Sequence, residues 1–288
     1  MTMEDVVAHY RAHGYVVVPD LLDAAEVTEL RAVTDRVSST ADGSGAETPV
    51  FDFDPAVGAA PPTIQRIKKP HRVDPFYAAL SHHPKILAVL ERLIGIDIRL
   101  SHSKINMKAA HGGAALEWHQ DWAFAPHTNM DTCVASVMID EARLANGAMQ
   151  VLSESHLGPL IEHHDREGYF AGAIDIAAAG LDMGKAVSLE GAAGTVTFHH
   201  PLTIHGSGVN RSGDPRRILF LEYAAADAFP LFYQVDWPEY ESRMVAGTSS
   251  STVRVEPNVV KLPFPSRAGS SIYKIQANAQ AKFFAATG

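Results

Sequence analysis

The sequence predicts a mainly β domain, a sandwich or barrel with its N-terminal helices packed outside, and three observations support this. Short apolar runs with a period of two lie between turn residues, as in antiparallel strands. Helical periodicity is concentrated in the N-terminal third. No Gly-x-Gly-x-x-Gly follows a predicted strand, which disfavours an open nucleotide-binding sheet. We expect one domain over residues 1–288, with a helical part at about 1–95, a β core at about 96–230 and a C-terminal extension at about 231–288.

The predicted helices begin with recognisable capping signals. Asp23 and Glu26 form a capping-box pattern before an apolar stripe of helical period. His83 and Pro84 open a further helix, and Gly95 ends it. Residues 40–63 are rich in Gly, Ala, Pro and Ser, so we predict a long loop there. The predicted helices cover residues 4–13, 23–37 and 83–94, and a short strand covers 15–19.

The first long strand begins near Ile96, where the apolar period changes from helical spacing to two. Its inward face starts apolar and then turns polar, which suits a strand that runs from a packed core into a ligand cavity. The polar positions on that face are His102, Lys104, Asn106 and Lys108. Four more strands are predicted at 132–139, 148–152, 194–198 and 216–223.

The composition excludes several classes of partner. With 24 Lys and Arg against 33 Asp and Glu, the net charge is −9, which argues against binding to nucleic acid or to acidic membranes. The single cysteine, Cys133, cannot form an internal disulfide. The acidic N-terminus lacks a secretory pattern, so we expect a cytoplasmic protein. Nothing in the sequence indicates an oligomeric state.

Fifteen histidines make a metal site worth seeking. His119 and Asp121 are two residues apart, so their side chains share a face on an extended strand. A second histidine would complete the two-histidine, one-carboxylate set that suits Fe(II), and His205 is the candidate. His163 and Asp165 have the same spacing, but their polar surroundings predict a solvated loop.

Strand periodicity places the two members of an arginine pair, and of a histidine pair, on opposite faces. Arg216 and Arg217 point to opposite faces, so only one can reach a given cavity. A guanidinium inside a barrel would bind a dicarboxylic acid well, although a surface position after the preceding turn is an equal alternative. His199 and His200 also face opposite ways, and at most one points inward.

Three ordered blocks resemble the phytanoyl-CoA dioxygenase family of Fe(II)- and 2-oxoglutarate-dependent oxygenases. The first is Trp-His-Gln-Asp-Trp at 118–122, followed by Pro126. The second is Asn-Gly-Ala-Met-Gln-Val-Leu at 146–152, with Ser-His at 155–156. The third is His-His-Pro-Leu-Thr-Ile-His-Gly-Ser-Gly at 199–208. The resemblance covers about residues 100–225 and is absent at 160–190 and beyond 235.

The resemblance implies a double-stranded β-helix, a cupin-like jelly-roll that holds its metal at the open end. The implied cofactors are Fe(II), 2-oxoglutarate as co-substrate, and O2. The implied iron ligands and catalytic residues are His119, Asp121 and His205. The implied co-substrate residues are Arg216, which would anchor the distal carboxylate, Ser207, which would assist it, and Lys108 and Gln120, which would line the pocket.

The resemblance also implies the reaction, which is hydroxylation of an unactivated carbon of a small metabolite with release of succinate and CO2. Relatives that halogenate replace the iron-binding carboxylate, whereas Asp121 is present here. A CoA thioester is disfavoured because the basic run at 66–69 stands alone in an acidic chain. Two alternatives stay open: a cupin-type metal enzyme that does not use 2-oxoglutarate, and a catalytically silent barrel that binds a small ligand.

Overall fold

The computed structural model describes residues 1–54, 62–232, 234–266 and 271–286. Its strands are β1 (Tyr15–Val18), β2 (Phe51–Asp54), β3 (Thr63–Lys68), β4 (Ile98–Lys108), β5 (Leu116–His119), β6 (Thr132–Met138), β7 (Gln150–Leu152), β8 (Ala186–Ser188), β9 (Val196–His199), β10 (His205–Ser207), β11 (Arg216–Ala225) and β12 (Met244–Ala246). Its α-helices are α1 (Met3–His13), α2 (Ala24–Ser38), α3 (Pro70–Val73), α4 (Pro75–Leu80), α5 (Pro84–Ile94), α6 (Ile176–Ala179), α7 (Trp237–Ser242), α8 (Ile272–Ala277) and α9 (Phe283–Ala286).

The strands form two antiparallel sheets. The larger sheet has the order β1-β9-β6-β11-β4-β3-β2, with β12 also paired to β4, and the smaller has the order β5-β10-β7-β8. Side chains from both sheets meet in one apolar cluster, in which Met149 and Val151 pack with Ile218 and Phe220. This face-to-face arrangement is the jelly-roll that the sequence predicts, and the mainly β fold class is confirmed.

The outer face of the larger sheet carries the main hydrophobic core. Leu219 and Leu221 alternate with the inward residues of β11 and pack in the same cluster as Leu30 of α2 and Leu90 of α5. All four are completely buried. The N-terminal helices therefore lie outside the barrel, as predicted, and cover the face that does not form the cavity.

Local capping explains where the first helices begin and end. Asp23 accepts hydrogen bonds from the backbone of Ala25 and Glu26, and the Glu26 carboxylate accepts one from the Asp23 backbone, so the predicted capping box is confirmed. Gly14 ends α1 with a φ of 79°, and a Cβ there would lie 2.5 Å from Nδ1 of His156. Only glycine fits that left-handed, crowded position.

The expected loop at 40–63 was wrong in part. Phe51–Asp54 is a strand, and it pairs with β3, which the sequence analysis also missed. Phe51 is 4% exposed within the outer core, so its burial outweighs a Gly- and Pro-rich neighbourhood that disfavours strands. Residues 55–61, which also fall in this prediction, lie outside the described residues.

The C-terminal helices pack against the smaller sheet. Gln276 of α8 is 4% exposed, and its Oε1 accepts a hydrogen bond of 2.8 Å from the backbone of Glu117 in β5. Its Nε2 donates to the carbonyls of Glu117 and Gly172. These bonds bring α8 beside the strand that ends at His119.

In the described residues, no helix combines the length and apolar character needed to cross a bilayer.

Candidate metal centre

Three ligand-type side chains meet at the paired strands β5 and β10 of the smaller sheet. His119 ends β5, Asp121 begins the 3-10 turn that follows, and His205 begins β10 directly opposite His119. Nε2 of His119 and Nε2 of His205 each lie 3.7 Å from Oδ1 of Asp121. The three ligand atoms lie within 4.8 Å of one another, so a single ion can contact all of them.

Both imidazoles are oriented by the backbone. Nδ1 of His119 donates to the carbonyl of Glu117 at 2.8 Å, and Nδ1 of His205 donates to that of Thr203 at 2.9 Å. This tautomer leaves each Nε2 with a lone pair directed at the centre. Burial lowers the pKa of His205 to about 4 and that of His119 well below its usual value, so both rings are neutral at neutral pH. Two neutral nitrogens and one carboxylate fit Fe(II).

Asp121 is held by a third histidine. Its Oδ2 accepts a hydrogen bond of 3.0 Å from Nε2 of His199, which is completely buried. Burial alone would raise the pKa of Asp121, but His205 and the bond from His199 hold it well below its usual range. His200 points elsewhere and accepts a bond from the backbone of Leu202. The expectation that these neighbours face opposite ways is confirmed.

A small cavity of about 30 Å³ adjoins the three ligands. Arg216 lines it and is 2% exposed, and its Nε has no hydrogen-bond partner among the described residues. Burial lowers the pKa of Arg216 to about 10, which still leaves it charged at neutral pH. Ser207, two residues after His205, lines the same cavity. Within the described part of the chain, the arrangement offers a guanidinium with a free Nε and a hydroxyl to one carboxylate.

Lys108 and Gln120 are not among the residues that line this cavity, although Lys108 pairs with Arg216 across β4 and β11. Nζ of Lys108 donates to the carbonyls of Ala114 at 3.0 Å and Ser207 at 3.3 Å, and also to that of Gly208. Nε2 of Gln120 donates to the Leu202 carbonyl at 2.9 Å, and its Oε1 accepts from the Ile161 backbone at 2.8 Å. Their expected role in lining the co-substrate pocket stays a prediction. In the structure, their hydrogen bonds to backbone groups stabilise the surrounding loops.

Two other cavity residues were predicted from the sequence only as polar positions on an inward strand face, without a role. Lys104 and Asn106 of β4 line the cavity, four and two residues before Lys108 on the same face. Nζ of Lys104 lies 2.8 Å from Oε1 of Glu222 on β11. The change of that face from apolar to polar was the available signal. It identified the face but not which position along the strand reaches the metal centre.

The second His-x-Asp motif is not the solvated loop that its polar neighbours suggest. His163 is 2% exposed, and its Nε2 accepts a hydrogen bond of 3.0 Å from the backbone of Gln120. Its Nδ1 donates to the Ile161 carbonyl at 2.9 Å. Both ring nitrogens are thus committed to the backbone beside the metal centre, where His163 supports the loop that carries Asp121.

The jelly-roll and this two-histidine, one-carboxylate centre define the class as a non-haem Fe(II)- and 2-oxoglutarate-dependent dioxygenase, an oxidoreductase. The model of the phytanoyl-CoA dioxygenase (PhyH) family matches residues 10–218, and the chain belongs to that family. The resemblance seen in the sequence is confirmed, as are its implied cofactors Fe(II), 2-oxoglutarate and O2.

Curated relatives and solved structures agree with this class. A probable alpha-ketoglutarate-dependent hypophosphite dioxygenase of Stutzerimonas stutzeri is 36% identical over 279 residues, covering 96% of this chain and 97% of the relative. L-proline trans-4-hydroxylase of Streptomyces griseoviridis is 26% identical over 238 residues, covering 76% and 85%. The crystal structure of EctD from S. alaskensis with bound Fe has the same fold, with a TM-score of 0.68, 22% identity and coverage of 89% and 87%.

Proposed function

We propose that this dioxygenase oxidises a small polar molecule, and that hypophosphite is the first substrate to test. One observation carries the proposal: the three ligand-type side chains line the same small cavity as Arg216, whose buried Nε has no partner among the described residues. The relative named for hypophosphite matches nearly the whole of both chains, which supports the choice of substrate.

The residues take distinct roles in this proposal. His119, Asp121 and His205 hold the iron on one face. Arg216 and Ser207 bind the distal carboxylate of 2-oxoglutarate, because a guanidinium pairs with a carboxylate through two parallel hydrogen bonds. Lys108 and Gln120, predicted to line that pocket, act by fixing its walls through the carbonyls they bind.

The bound iron and 2-oxoglutarate supply the oxidising chemistry, in which one oxygen atom of O2 enters succinate, CO2 leaves, and the other oxygen atom enters the product. The residues of the chain itself bind and orient the reactants and exclude water from the site. The apolar part of the cavity wall includes Leu116, Met149, Phe220 and Ile272. No nucleophile from the protein is required.

Two oxidations suit such a site. With hypophosphite, one P–H bond becomes P–OH and the product is phosphite. With a carbon substrate, one C–H bond becomes C–OH, which is the outcome expected from the sequence, and the proline hydroxylase relative supports it as the second candidate. Both reactions consume one 2-oxoglutarate and one O2 for each oxygen atom inserted.

We also propose that residues 1–288 form one oxygenase domain, with a helical part at about 1–95, the β core at about 96–230 and a C-terminal extension at about 231–288. The hydrogen bonds of Gln276 to β5 and the pairing of β12 with β4 support this division. A cytoplasmic location and the absence of nucleic-acid and membrane partners remain predictions, supported by the acidic composition.

The test measures product and succinate together. Purified enzyme with Fe(II), 2-oxoglutarate and O2 is incubated with hypophosphite, and phosphite is followed by phosphorus NMR beside succinate. We expect equal amounts of phosphite and succinate, and no phosphite from Asp121→Ala. If L-proline or another small metabolite stimulates succinate release and hypophosphite does not, the substrate would be reassigned to the carbon class.

A further inference from the structure

A second buried arginine faces the inside of the barrel beside the metal cavity. Arg66 of β3 lies opposite Asn106 of β4, and opposite residues on paired strands project from the same face of a sheet. Asn106 lines the metal cavity. The next opposed pair, Ile67 and Ile105, is completely buried in the outer core. Arg66 therefore projects from the inner face, next to Asn106.

Two of the three nitrogens of the Arg66 guanidinium lack acceptors among the residues that the structure describes. Its side chain is 10% exposed, and Nε and Nη2 are buried with no hydrogen-bond partner among the described residues. The carboxylate of Asp52 lies 3.9 Å from Nη1 and is 3.0 Å from Nζ of Lys68, which holds it. The ring of Tyr273 lies 5.3 Å from the guanidinium carbon. Buried donors without acceptors are costly unless a ligand supplies the acceptors.

The surroundings of Arg66 are rich in positive charge. Burial and the nearby charge of Asp54 raise the pKa of Tyr273, while the charges of Arg66, Arg216 and Lys104 lower it, so three cations and one carboxylate lie near this phenol. Burial would lower the pKa of Lys104, but the charges of Glu222 and Asp121 outweigh it and raise that pKa, which keeps Lys104 protonated. Lys104 is thus charged and lies in the cavity beside the metal ligands.

Two carboxylates near this cluster are already paired with lysines. Oε1 of Glu222 lies 2.8 Å from Nζ of Lys104, and Oδ1 of Asp52 lies 3.0 Å from Nζ of Lys68. Nε and Nη2 of Arg66 have no acceptor among the described residues. Because buried charged donors without acceptors are unfavourable, an anionic ligand is preferred there over a neutral or cationic one.

We infer that Arg66, assisted by Lys104, binds the anionic group of the primary substrate, which is a small anion with at least two oxygen atoms. Arg216 is left to the co-substrate, so the two arginines divide the two anions between them. This inference rests on the proposed function and specifies the substrate class of the same site. It applies equally to hypophosphite and to the carboxylate of a small carbon substrate.

The experiment separates binding of the two anions. Anaerobic protein loaded with Fe(II) is first titrated with 2-oxoglutarate, and binding is monitored by the visible charge-transfer band. The same protein is then titrated with hypophosphite, formate or acetate as probes, and binding is measured by calorimetry. The variants are Arg66→Gln, Arg66→Lys and Lys104→Met. The matched control is Arg36→Gln, since Arg36 has a 60% exposed side chain on α2.

We expect Arg66→Gln to weaken binding of the tightest probe about tenfold or more, the loss of one or more charge-assisted hydrogen bonds, with less than about a twofold change for 2-oxoglutarate. Arg66→Lys should recover part of the loss, Lys104→Met should also weaken the probe, and Arg36→Gln should change neither ligand.

Three results would overturn the inference: equal weakening of 2-oxoglutarate by Arg66→Gln, unchanged probe affinity in Arg66→Gln and Lys104→Met, or no binding of any probe to wild-type protein that shows the band. Loss of the band in the wild-type protein would instead contradict the proposed function itself.

Discussion

His199 donates through Nε2 to Oδ2 of Asp121 at 3.0 Å, while Oδ1 of the same carboxylate faces both ligand histidines. The carboxylate is thereby fixed in rotation, with one oxygen committed to the protein and the other to the metal centre. Partners of this kind orient metal ligands and tune their basicity.

Removing this partner should weaken metal binding without removing a ligand. We expect His199→Ala to lower Fe(II) affinity by roughly 10–100-fold, because Asp121 loses its orientation. Anaerobic calorimetry with Fe(II) measures the change. His200→Ala is the matched control, since His200 points away from the centre, and it should leave the affinity unchanged. Equal effects of both variants would show that His199 acts only through the general stability of β9.

The two neighbouring arginines of β11 should separate co-substrate binding from stability. Arg216→Gln should weaken 2-oxoglutarate by about tenfold or more, because the buried guanidinium has no other described partner for its Nε. Arg217→Gln should leave that affinity intact and lower the free energy of unfolding by about 1–3 kcal/mol, because Arg217 binds Asp140 and Asp35 on the outer face.

Co-substrate titration and urea denaturation of both variants provide the two readouts. If Arg216→Gln bound 2-oxoglutarate as tightly as the wild-type protein, the cupin-type alternative without that co-substrate would gain support.

Buried neutral histidines should make the protein sensitive to mild acid. Burial lowers the pKa of His71, His102 and His163 to about 4, and that of His200 to about 3. The unfolded chain takes up these protons near pH 6.5 and the folded chain does not, so stability is complete above about pH 6.5 and falls towards pH 4. Each group contributes a slope of up to about 1.4 kcal/mol per pH unit in that window.

Urea denaturation of the metal-free protein between pH 7.5 and 4.5 measures this slope. His102→Gln should reduce it, whereas substitution of the exposed His111 should not. A free energy of unfolding that stays constant from pH 7 to 5 would contradict the assignment of neutral buried rings.

The docking of α8 depends on one amide. Gln276→Ala leaves the buried backbone donor of Glu117 without its partner, and we expect it to lower the free energy of unfolding by about 1–3 kcal/mol. It should also raise amide exchange across α8, because that helix makes few other buried polar contacts with β5. Hydrogen exchange by mass spectrometry measures amide exchange in α8 and in β5. The control is Gln280→Ala, whose side chain is exposed, and a similar loss there would refute the specific role of Gln276.

The sequence predicted the metal ligands better than the walls around them. His119 and Asp121 follow a local spacing that a strand end can satisfy, whereas His205 is 84 residues further along than Asp121 and was supported chiefly by the family resemblance. The family resemblance singled out Lys108, whereas Lys104 and Asn106 of the same strand face line the cavity. Periodicity predicts which residues share a face but not how close each one lies to the metal centre. Lys108 instead donates to the carbonyls of Ala114 and Gly208.

The elements of the fold also differ in how well the sequence predicted them. Long periodic segments such as β4, β11 and α2 were predictable because a whole face of each is buried. The strands β2 and β3 were missed, and Arg66 was missed with them as an inward residue. Their pairing is a long-range contact within a segment whose composition indicates a loop, so local patterns carry little signal for it.

The central claim is that His119, Asp121 and His205 hold an iron ion to which 2-oxoglutarate binds. The most direct measurement is anaerobic titration of the purified apoprotein with Fe(II) and 2-oxoglutarate, following the weak visible charge-transfer band of a keto acid chelated to ferrous iron. We expect a saturable band that is lost in His119→Ala and in His205→Ala. Folded, iron-loaded protein without the band, or a band that survives both substitutions, would contradict the account.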